Sequence, residues 1–123
     1  MMIRSVASVE ELKAVQGQLA ELYGWTSSRR ERDLAALLEQ FGRDPGLMLV
    51  AETARSLRGA VFASDRGQDG TLLLTHVGVF PRHQRTGVGS ALWAEMEQRA
   101  RKRGKGRLLL GAVQGAELFY LNL

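Results

Sequence analysis

Residues 77–92 read Val77-Gly78-Val79-Phe80-Pro81-Arg82-His83-Gln84-Arg85-Thr86-Gly87-Val88-Gly89-Ser90-Ala91-Leu92. The apolar run from Leu72 to Val79 is short and stops at Pro81, which predicts a buried strand. Apolar residues then recur at helical spacing from Val88, so a helix is predicted from Gly87 to Arg103. The stretch therefore predicts a strand, a polar loop and a helix.

The loop between this strand and helix has the composition of an anion-binding site. Gly87 and Gly89 allow close approach to backbone N–H groups that are unpaired at a helix start. The helix dipole favours negative charge there, and Arg82, His83 and Arg85 add basic side chains. We interpret the loop as a cradle for phosphate or pyrophosphate.

Two other phosphate-binding motifs fit the loop poorly. A Walker A loop requires Gly-x-x-x-x-Gly-Lys followed by Ser or Thr, and the sequence contains no such string. A dinucleotide fingerprint requires a third glycine where Leu92 stands. It also requires an acidic residue about twenty positions further on, where Leu109 and its neighbours are apolar.

The stretch resembles the acetyl-CoA-binding motif of the GNAT superfamily of N-acetyltransferases, which is Gln or Arg, two residues, Gly, one residue, and Gly or Ala. Here the motif is Gln84-Arg85-Thr86-Gly87-Val88-Gly89, and Val79-Phe80-Pro81 matches the usual Val-x-Pro lead-in. The resemblance implies that acetyl-CoA is the cosubstrate and that no metal takes part. It also implies that the pyrophosphate is held by Gln84, Arg85, Thr86, Gly87, Val88, Gly89 and Ser90.

Length and composition limit the class of protein. The 123 residues predict a single domain, 1–123, and 45% hydrophobic with 24% charged residues is typical of a globular chain. With neither a signal-peptide pattern nor a long apolar window, we expect a cytoplasmic protein without a membrane partner. The absence of cysteine excludes disulfides, thiolate metal sites and a cysteine nucleophile within this sequence. A net charge of +4 favours an anionic ligand.

The first half of the sequence predicts one strand and two helices. Ile3 to Val6 alternates like a short strand, and Ser8–Glu11 forms a capping box before an amphipathic helix. Ser28–Glu31 repeats the capping signal before a second helix. The connection Tyr23–Ser27 carries two aromatic side chains. They either shape a binding surface or pack as a hydrophobic contact that closes the end of the helix pair.

The second half predicts the sheet. Leu47 to Glu52, Leu57 to Ala63 and the strand ending at Val79 are joined by short polar turns, which favour antiparallel pairing. After the helix, Leu108 to Val113 predicts a last strand that pairs in parallel through a crossover. The predicted fold class is α+β: a mixed, mostly antiparallel sheet with flanking helices in three layers. This is the element order of the GNAT acyl-CoA N-acyltransferase fold.

Gly78 lies inside the strand predicted from Leu72 to Val79. Glycine within a strand often marks a bulge or a close backbone approach. We expect a bulge that splays this strand from its neighbour; the alternative is a glycine beneath a bulky helix residue such as Trp93. The resemblance places the pantetheine arm of the coenzyme in that gap, on backbone groups of Val77 and Val79. One of their N–H groups would hold the thioester carbonyl.

Amide formation from a thioester requires a group that takes the proton of the amine and one that protonates the thiolate. His76 is a candidate base, because alternation places it on the strand face opposite the two valines and imidazole titrates near neutral pH. A hydrogen-bonded structural histidine is the alternative, and Glu52 is a second candidate base. The segment Ala116–Tyr120 resembles the family's helical Ala-x-x-x-Tyr segment, which implies that Tyr120 is the general acid.

The sequence stops at Leu123, whereas the family continues with two further strands. We therefore expect the strand at 108–113 to have an open apolar edge, which a second copy of the chain would cover as a homodimer. The alternative is that the polypeptide is a shortened product of a longer gene.

A basic cluster near the end of the predicted helix comprises Arg99, Arg101, Lys102, Arg103, Lys105 and Arg107. Cations at a helix C-terminus are favourable in themselves, and no aromatic stacking pattern accompanies them. A solvated face is therefore favoured over a nucleic-acid-binding stripe.

The predicted function is acetyl-CoA-dependent N-acetylation, by direct transfer to a primary amine in a ternary complex. The partner is an amine-bearing small molecule or protein whose identity the sequence does not reveal. The alternatives are an acyl-CoA-binding module without catalysis and a small basic nucleic-acid-binding protein.

Overall fold

A computed structural model describes residues 1–54, 56–65, 70–111 and 118–122. Within these ranges, six strands form one sheet in sequential order and three helices flank it. The strands are β1 Met2–Ser5, β2 Met48–Thr53, β3 Ser56–Asp65, β4 Thr71–Val79, β5 Arg107–Gly111 and β6 Leu118–Asn122. The helices are α1 Val9–Tyr23, α2 Ser27–Arg43 and α3 Val88–Lys102. None of the helices in the described ranges combines the length and apolar character needed to cross a bilayer.

The pairing of the strands confirms a mixed, mostly antiparallel sheet. Strands β1 to β4 pair successively antiparallel, β4 and β5 pair in parallel, and β6 returns antiparallel. In the described part of the chain, β5 pairs with β4 over Thr71–Leu74 only. The second half of β4 therefore extends beyond its parallel neighbour.

Strand β6 corrects the expectation of an open edge on the last predicted strand. That strand is observed as β5, and its partners run from Arg107 opposite Asn122 to Gly111 opposite Leu118. Aromatic and aliphatic residues after Glu117 favour a strand, and their pairing satisfies the β5 edge within the chain itself. The edge that the expected dimer was to cover is thus already paired. Residues 112 and 113 lie outside the described residues.

A register shift in β4 decides which residues face which helices. Phe62 pairs with His76 and Ala63 with Leu74, so Thr75 is an extra residue in β4. Leu74 belongs to the apolar core beneath α3, whereas His76 contacts Phe62 in the core beneath α1 and α2. The bulge in β4 therefore lies at Thr75, where the sequence did not predict one, and it changes the face that the following residues occupy.

Gly78 has a packing role instead. A Cβ atom there would lie 2.7 Å from Leu19 Cδ2 and 2.9 Å from Leu22 Cδ2, both on α1. The prediction of a bulge at Gly78 is wrong, because the close approach comes from a helix and leaves the pairing with β3 intact. The alternative, a glycine beneath Trp93, named a residue of the wrong helix. Trp93 packs with the core beneath α3, whereas the residues over Gly78 belong to α1.

The helix caps partly confirm the predicted signals. Ser8 caps α1 by accepting the Glu11 N–H at 3.1 Å, while the Glu11 carboxylate accepts the N–H of Ala7 at 2.9 Å. Helix α2 begins one residue before the predicted cap, and its N-cap is Thr26. Ser28 therefore lies in the first turn.

The basic end of α3 ties this helix to the N-terminal half of the chain. Arg99 donates to Ser5 Oγ at 2.7 Å and to the Gly46 carbonyl at 2.8 Å. Arg103 binds both oxygens of Asp44 at 2.7 and 2.8 Å, and this guanidinium lowers the pKa of the carboxyl. These contacts favour a structural role for part of the cluster over a nucleic-acid-binding stripe.

Candidate active site

The N-terminus of α3 has the geometry expected of an anion cradle. Gly87 is the N-cap with φ 84°, in the left-handed region that glycine adopts at little cost. The first backbone bond of the helix runs from the Ala91 N–H to the Gly87 carbonyl. The N–H groups of Val88, Gly89 and Ser90 consequently have no partner within the helix. Unpaired N–H groups at a helix start are a general binding site for phosphate oxygens.

The loop before this helix is held by its own side chains. Gln84 Nε2 donates to the Val79 carbonyl at 3.2 Å, and the Thr86 hydroxyl donates to the His83 carbonyl. Arg85 is exposed and has φ 62°, a conformation that costs a residue with a side chain about 1–2 kcal/mol. A strained cation beside unpaired N–H donors is typical of a binding site rather than of a solvated turn.

The end of β4 continues this cradle. Val77 is 48% exposed, which is unusual for a large apolar strand residue. Val79 packs against the α3 core, and a Cβ at Gly89 would lie 3.5 Å from its Cγ2 atom. We call Val77, Val79 and residues 84–90 together the β4–α3 surface. It comprises the residues predicted to bind the coenzyme, of which Gln84 and Gly89 lie against Val79 and Val88 is buried.

Tyr23, at the end of α1, contacts the same strand. Its hydroxyl donates to the Val77 carbonyl at 2.5 Å and accepts the Val77 N–H at 2.9 Å. Burial raises the pKa of Tyr23 and the charge of Asp33 raises it further, whereas the bond with Val77 lowers it. The phenol is therefore protonated at neutral pH. The aromatic connection was a recognisable sequence signal, but its contact with Val77 was not.

His76 lies on the strand face opposite the two valines, as predicted, and is 6% exposed. Its Nε2 atom lies 2.9 and 3.1 Å from the two carboxylate oxygens of Asp33. Its Nδ1 atom lies 2.8 Å from the Thr75 hydroxyl, which is also 3.2 Å from the Phe62 carbonyl. Both ring nitrogens therefore have polar partners, and the structure contains the hydrogen-bonded histidine of the alternative interpretation.

Asp33 is the residue that sequence reasoning missed. Besides His76, it accepts a hydrogen bond from the buried Gln16 amide at 3.1 Å, so two side chains fix its carboxylate. Asp33 stands four residues before Leu37, on the face of α2 that packs on the sheet. An acidic residue on a buried helix face was the available signal.

These residues border a cavity of about 480 Å³, which we call the α2 pocket. Its lining includes Tyr23, Trp25, Arg29, Asp33, Gln40 and His76. The Trp25 ring lies 5.1 Å from the Tyr23 ring and 6.0 Å from the His76 ring, and the Arg29 guanidinium lies 4.4 Å above it. Because Arg29 already occupies the Trp25 face, the carboxylates of Asp33 and Glu39 are the groups of this lining whose charge attracts an ammonium group.

The second candidate base has a different environment. Glu52 on β2 accepts a hydrogen bond from Arg4 at 2.8 Å, and it is not among the residues that line the α2 pocket. The same guanidinium binds both oxygens of Glu11 at 2.7 and 2.8 Å. Glu52 is therefore part of an ion-pair network that joins β1, β2 and α1.

Tyr120 lies in a strand, so the prediction of a helix around it is wrong. Its Cα partner is Leu109 on β5, and Leu109 pairs with Leu73 on β4, four residues before Val77. Ala116 and Glu117 lie outside the described residues. The backbone alone does not bring Tyr120 to Val77, and its role as proton donor stays a prediction. In the described ranges, no group of three or more His, Asp or Glu side chains is arranged to hold a metal ion.

The strand and the glycine-capped helix that the sequence predicted are both present, and the structure adds that this strand extends beyond its parallel neighbour. The chain belongs to the acetyltransferase (GNAT) family, whose model matches residues 12–121. A comparison with curated protein sequences gave no match.

Solved structures share this fold. A GNAT family acetyltransferase from Brucella melitensis, in complex with acetyl-CoA, is 22% identical with a TM-score of 0.75, over 98% of this chain and 86% of its own. Ribosomal-protein-alanine N-acetyltransferase from the same organism is 24% identical with a TM-score of 0.68, over 89% of this chain and 73% of its own. The protein yncA from Salmonella typhimurium, solved with its cofactor acetyl-CoA, is 25% identical with a TM-score of 0.69, over 90% of this chain and 69% of its own.

Proposed function

We propose that this protein is an acetyl-CoA-dependent N-acetyltransferase, with residues 1–123 as one domain, that passes the acetyl group directly to a primary amine in a ternary complex. The observation that carries the proposal is that β4, with its exposed Val77, leads directly into a helix whose first N–H groups are unpaired within the helix. Membership of the family and relatives solved with acetyl-CoA support it.

Acetyl-CoA supplies the acetyl group as a thioester when it is bound. The N–H groups of Val88, Gly89 and Ser90 bind the pyrophosphate, and Arg85 neutralises its charge. The backbone of Val77 and Val79 binds the pantetheine arm, and a strand N–H polarises the thioester carbonyl.

The α2 pocket shares Tyr23 with the Val77 backbone and holds the acceptor amine beside the reacting end of the coenzyme. Asp33 accepts the Nε2–H of His76, which leaves Nδ1 as the basic nitrogen. Nδ1 takes the proton of the amine through the hydroxyl of Thr75, which turns its own proton from the Phe62 carbonyl to Nδ1 and accepts that of the amine. The amine nitrogen then forms the C–N bond as the C–S bond breaks. Because the sequence contains no cysteine, no cysteinyl acyl-enzyme precedes this step.

Binding tests the proposal first. Acetyl-CoA at about one hundred times its Kd should stabilise the folded protein by about 2.7 kcal/mol, whereas duplex DNA should not stabilise it. Gly87→Val should weaken binding, because a β-branched residue disfavours φ 84° and its side chain crowds the cradle. Stabilisation by DNA and not by acetyl-CoA would contradict the proposal and favour the nucleic-acid-binding alternative.

Catalysis is tested separately by thiol release with a panel of amines. The panel should include peptide N-termini, lysine, polyamines, aminoglycosides and amino acids, since relatives of this fold are named for acceptors as different as ribosomal-protein alanine and an aminoglycoside. Binding of acetyl-CoA without thiol release for any amine would favour the acyl-CoA-binding module.

Tyr120 is the proposed general acid for the thiolate, on the basis of the family resemblance. Tyr120→Phe should lower kcat by about 10²-fold or more and leave the Kd for acetyl-CoA unchanged, because only the proton donor is lost. An unchanged kcat would remove this assignment and leave the coenzyme-binding proposal intact.

A further inference from the structure

Tyr23 connects the end of α1 to the C-terminal part of β4 across 54 positions of sequence. Its single hydroxyl bonds both the carbonyl and the N–H of Val77, at 2.5 and 2.9 Å. An extended chain beside β4 would use the same two backbone groups, because strand residues pair through their N–H and C=O together. The phenol thus occupies the position of a strand-like ligand.

Both Val77 groups lie on the edge of β4 that faces away from β3. Val77 stands opposite Val61 in the β3 pairing, and a strand residue directs its N–H and C=O to the same edge. Since both groups bond Tyr23, that edge is the one along which β5 runs. Over the described ranges, β5 pairs with β4 only as far as Leu74, which leaves Val77 beyond it.

We propose that Tyr23 is an internal competitor of the coenzyme. Its hydroxyl holds the Val77 backbone groups in the free protein, and the pantetheine arm of coenzyme A displaces it on binding. The inference rests on the proposed function, which assigns these same groups to the arm. Tyr23 also lines the α2 pocket beside Trp25. Displacement of the phenol therefore changes a wall of the acceptor pocket and couples the two binding events.

The variant Tyr23→Phe isolates the hydroxyl, because the ring keeps its packing against Trp25 while both bonds to Val77 are lost. Calorimetry should give a Kd for coenzyme A that is about five- to thirty-fold lower than in the wild type. This is the population ratio expected when two hydrogen bonds of ordinary net strength hold a binding-incompetent state.

The control is a second ligand, 3′-phospho-ADP, which is coenzyme A without its pantetheine arm. It keeps the pyrophosphate but has nothing that reaches Val77, so its Kd should be the same in both proteins. Hydrogen exchange of the Val77 amide gives an independent measurement on the free protein. The amide should be protected in the wild type, should exchange faster in Tyr23→Phe, and should be protected again by coenzyme A.

The outcomes separate this inference from the proposed function. If the wild type binds coenzyme A and Tyr23→Phe binds it equally or more weakly, Tyr23 is not a competitor and the proposed function stands. If Tyr23→Phe binds both ligands more tightly, the effect is general and the inference also fails. If neither protein binds coenzyme A, the proposed function fails and this inference fails with it.

Discussion

Gly78→Ala tests whether this glycine exists for helix packing. The added methyl would lie 2.7 Å from Leu19 Cδ2 and 2.9 Å from Leu22 Cδ2, both closer than real Cβ contacts. Leu22 is 38% exposed and can rotate away, but Leu19 is fully buried. The Leu19 side chain must therefore repack in the core, or helix α1 must shift. Overpacking of this kind costs about 1–3 kcal/mol.

Thermal unfolding followed by circular dichroism measures this cost directly. For a chain of this size we expect the Tm to fall by about 4 °C for each kcal/mol, or about 4–12 °C in total. Gly42→Ala is the matched control, because Gly42 lies inside α2 and a Cβ there meets no atom within 4 Å. The free energy of unfolding of that variant should rise by up to about 1 kcal/mol, because alanine has a higher helix propensity than glycine.

A double-mutant cycle identifies the clash. Leu19→Ala alone should cost about 2–5 kcal/mol, because it opens a cavity in the core. Combined with Gly78→Ala, it should cost at least about 1 kcal/mol less than the sum of the single changes, since the new methyl enters the vacated space. A Gly78→Ala protein within about 0.5 kcal/mol of the wild type, or an additive cycle, would refute the packing argument.

Three further predictions follow from single contacts. The Arg4 guanidinium lowers the pKa of Glu11, so the stabilisation from this carboxylate is complete above its unfolded pKa and is lost as the pH falls through the lower folded one. Glu11→Gln should thus cost about 1–2 kcal/mol at pH 7 and converge with the wild type in acid, as measured by urea unfolding; a gap that does not depend on pH would contradict this. Asp33→Asn should lower kcat by about 10²-fold or more without changing the Kd for acetyl-CoA, if this carboxylate positions the imidazole as a base; loss of binding instead of kcat would assign it a merely structural role. Thr26→Ala should destabilise the protein by about 1 kcal/mol and Ser28→Ala hardly at all in thermal unfolding, and equal effects would contradict the observed cap.

Local patterns in the sequence were sufficient for most elements. The period of apolar residues and the position of Pro81 located β4 and α3 to within a residue, because these signals act between near neighbours along the chain. The same holds for the glycines of the cradle, since the left-handed cap at Gly87 is a local backbone requirement. The order of β2 to β5 followed from short connections and one crossover, whereas the position of β1 beside β2 was not predicted.

The decisive contacts of the candidate site were not readable in this way. The bulge at Thr75 turns His76 toward Asp33, 43 positions earlier in the chain. Tyr23 reaches Val77 across a similar separation. Such pairs depend on how the helices pack on the sheet. The local spacing of apolar residues does not contain that information.

Residues 77–92 contain both features that the local sequence determines and features that only the tertiary structure determines. By itself, the sequence determined that residues 77–92 form a strand, a basic loop and a glycine-led helix, since each of these follows from local periodicity and backbone conformation. Only the tertiary structure decided that Gly78 makes room for α1 and that a phenol from α1 bonds the backbone of Val77. Both depend on side chains from a distant helix, and the physical reason is close packing between segments that are far apart in the chain.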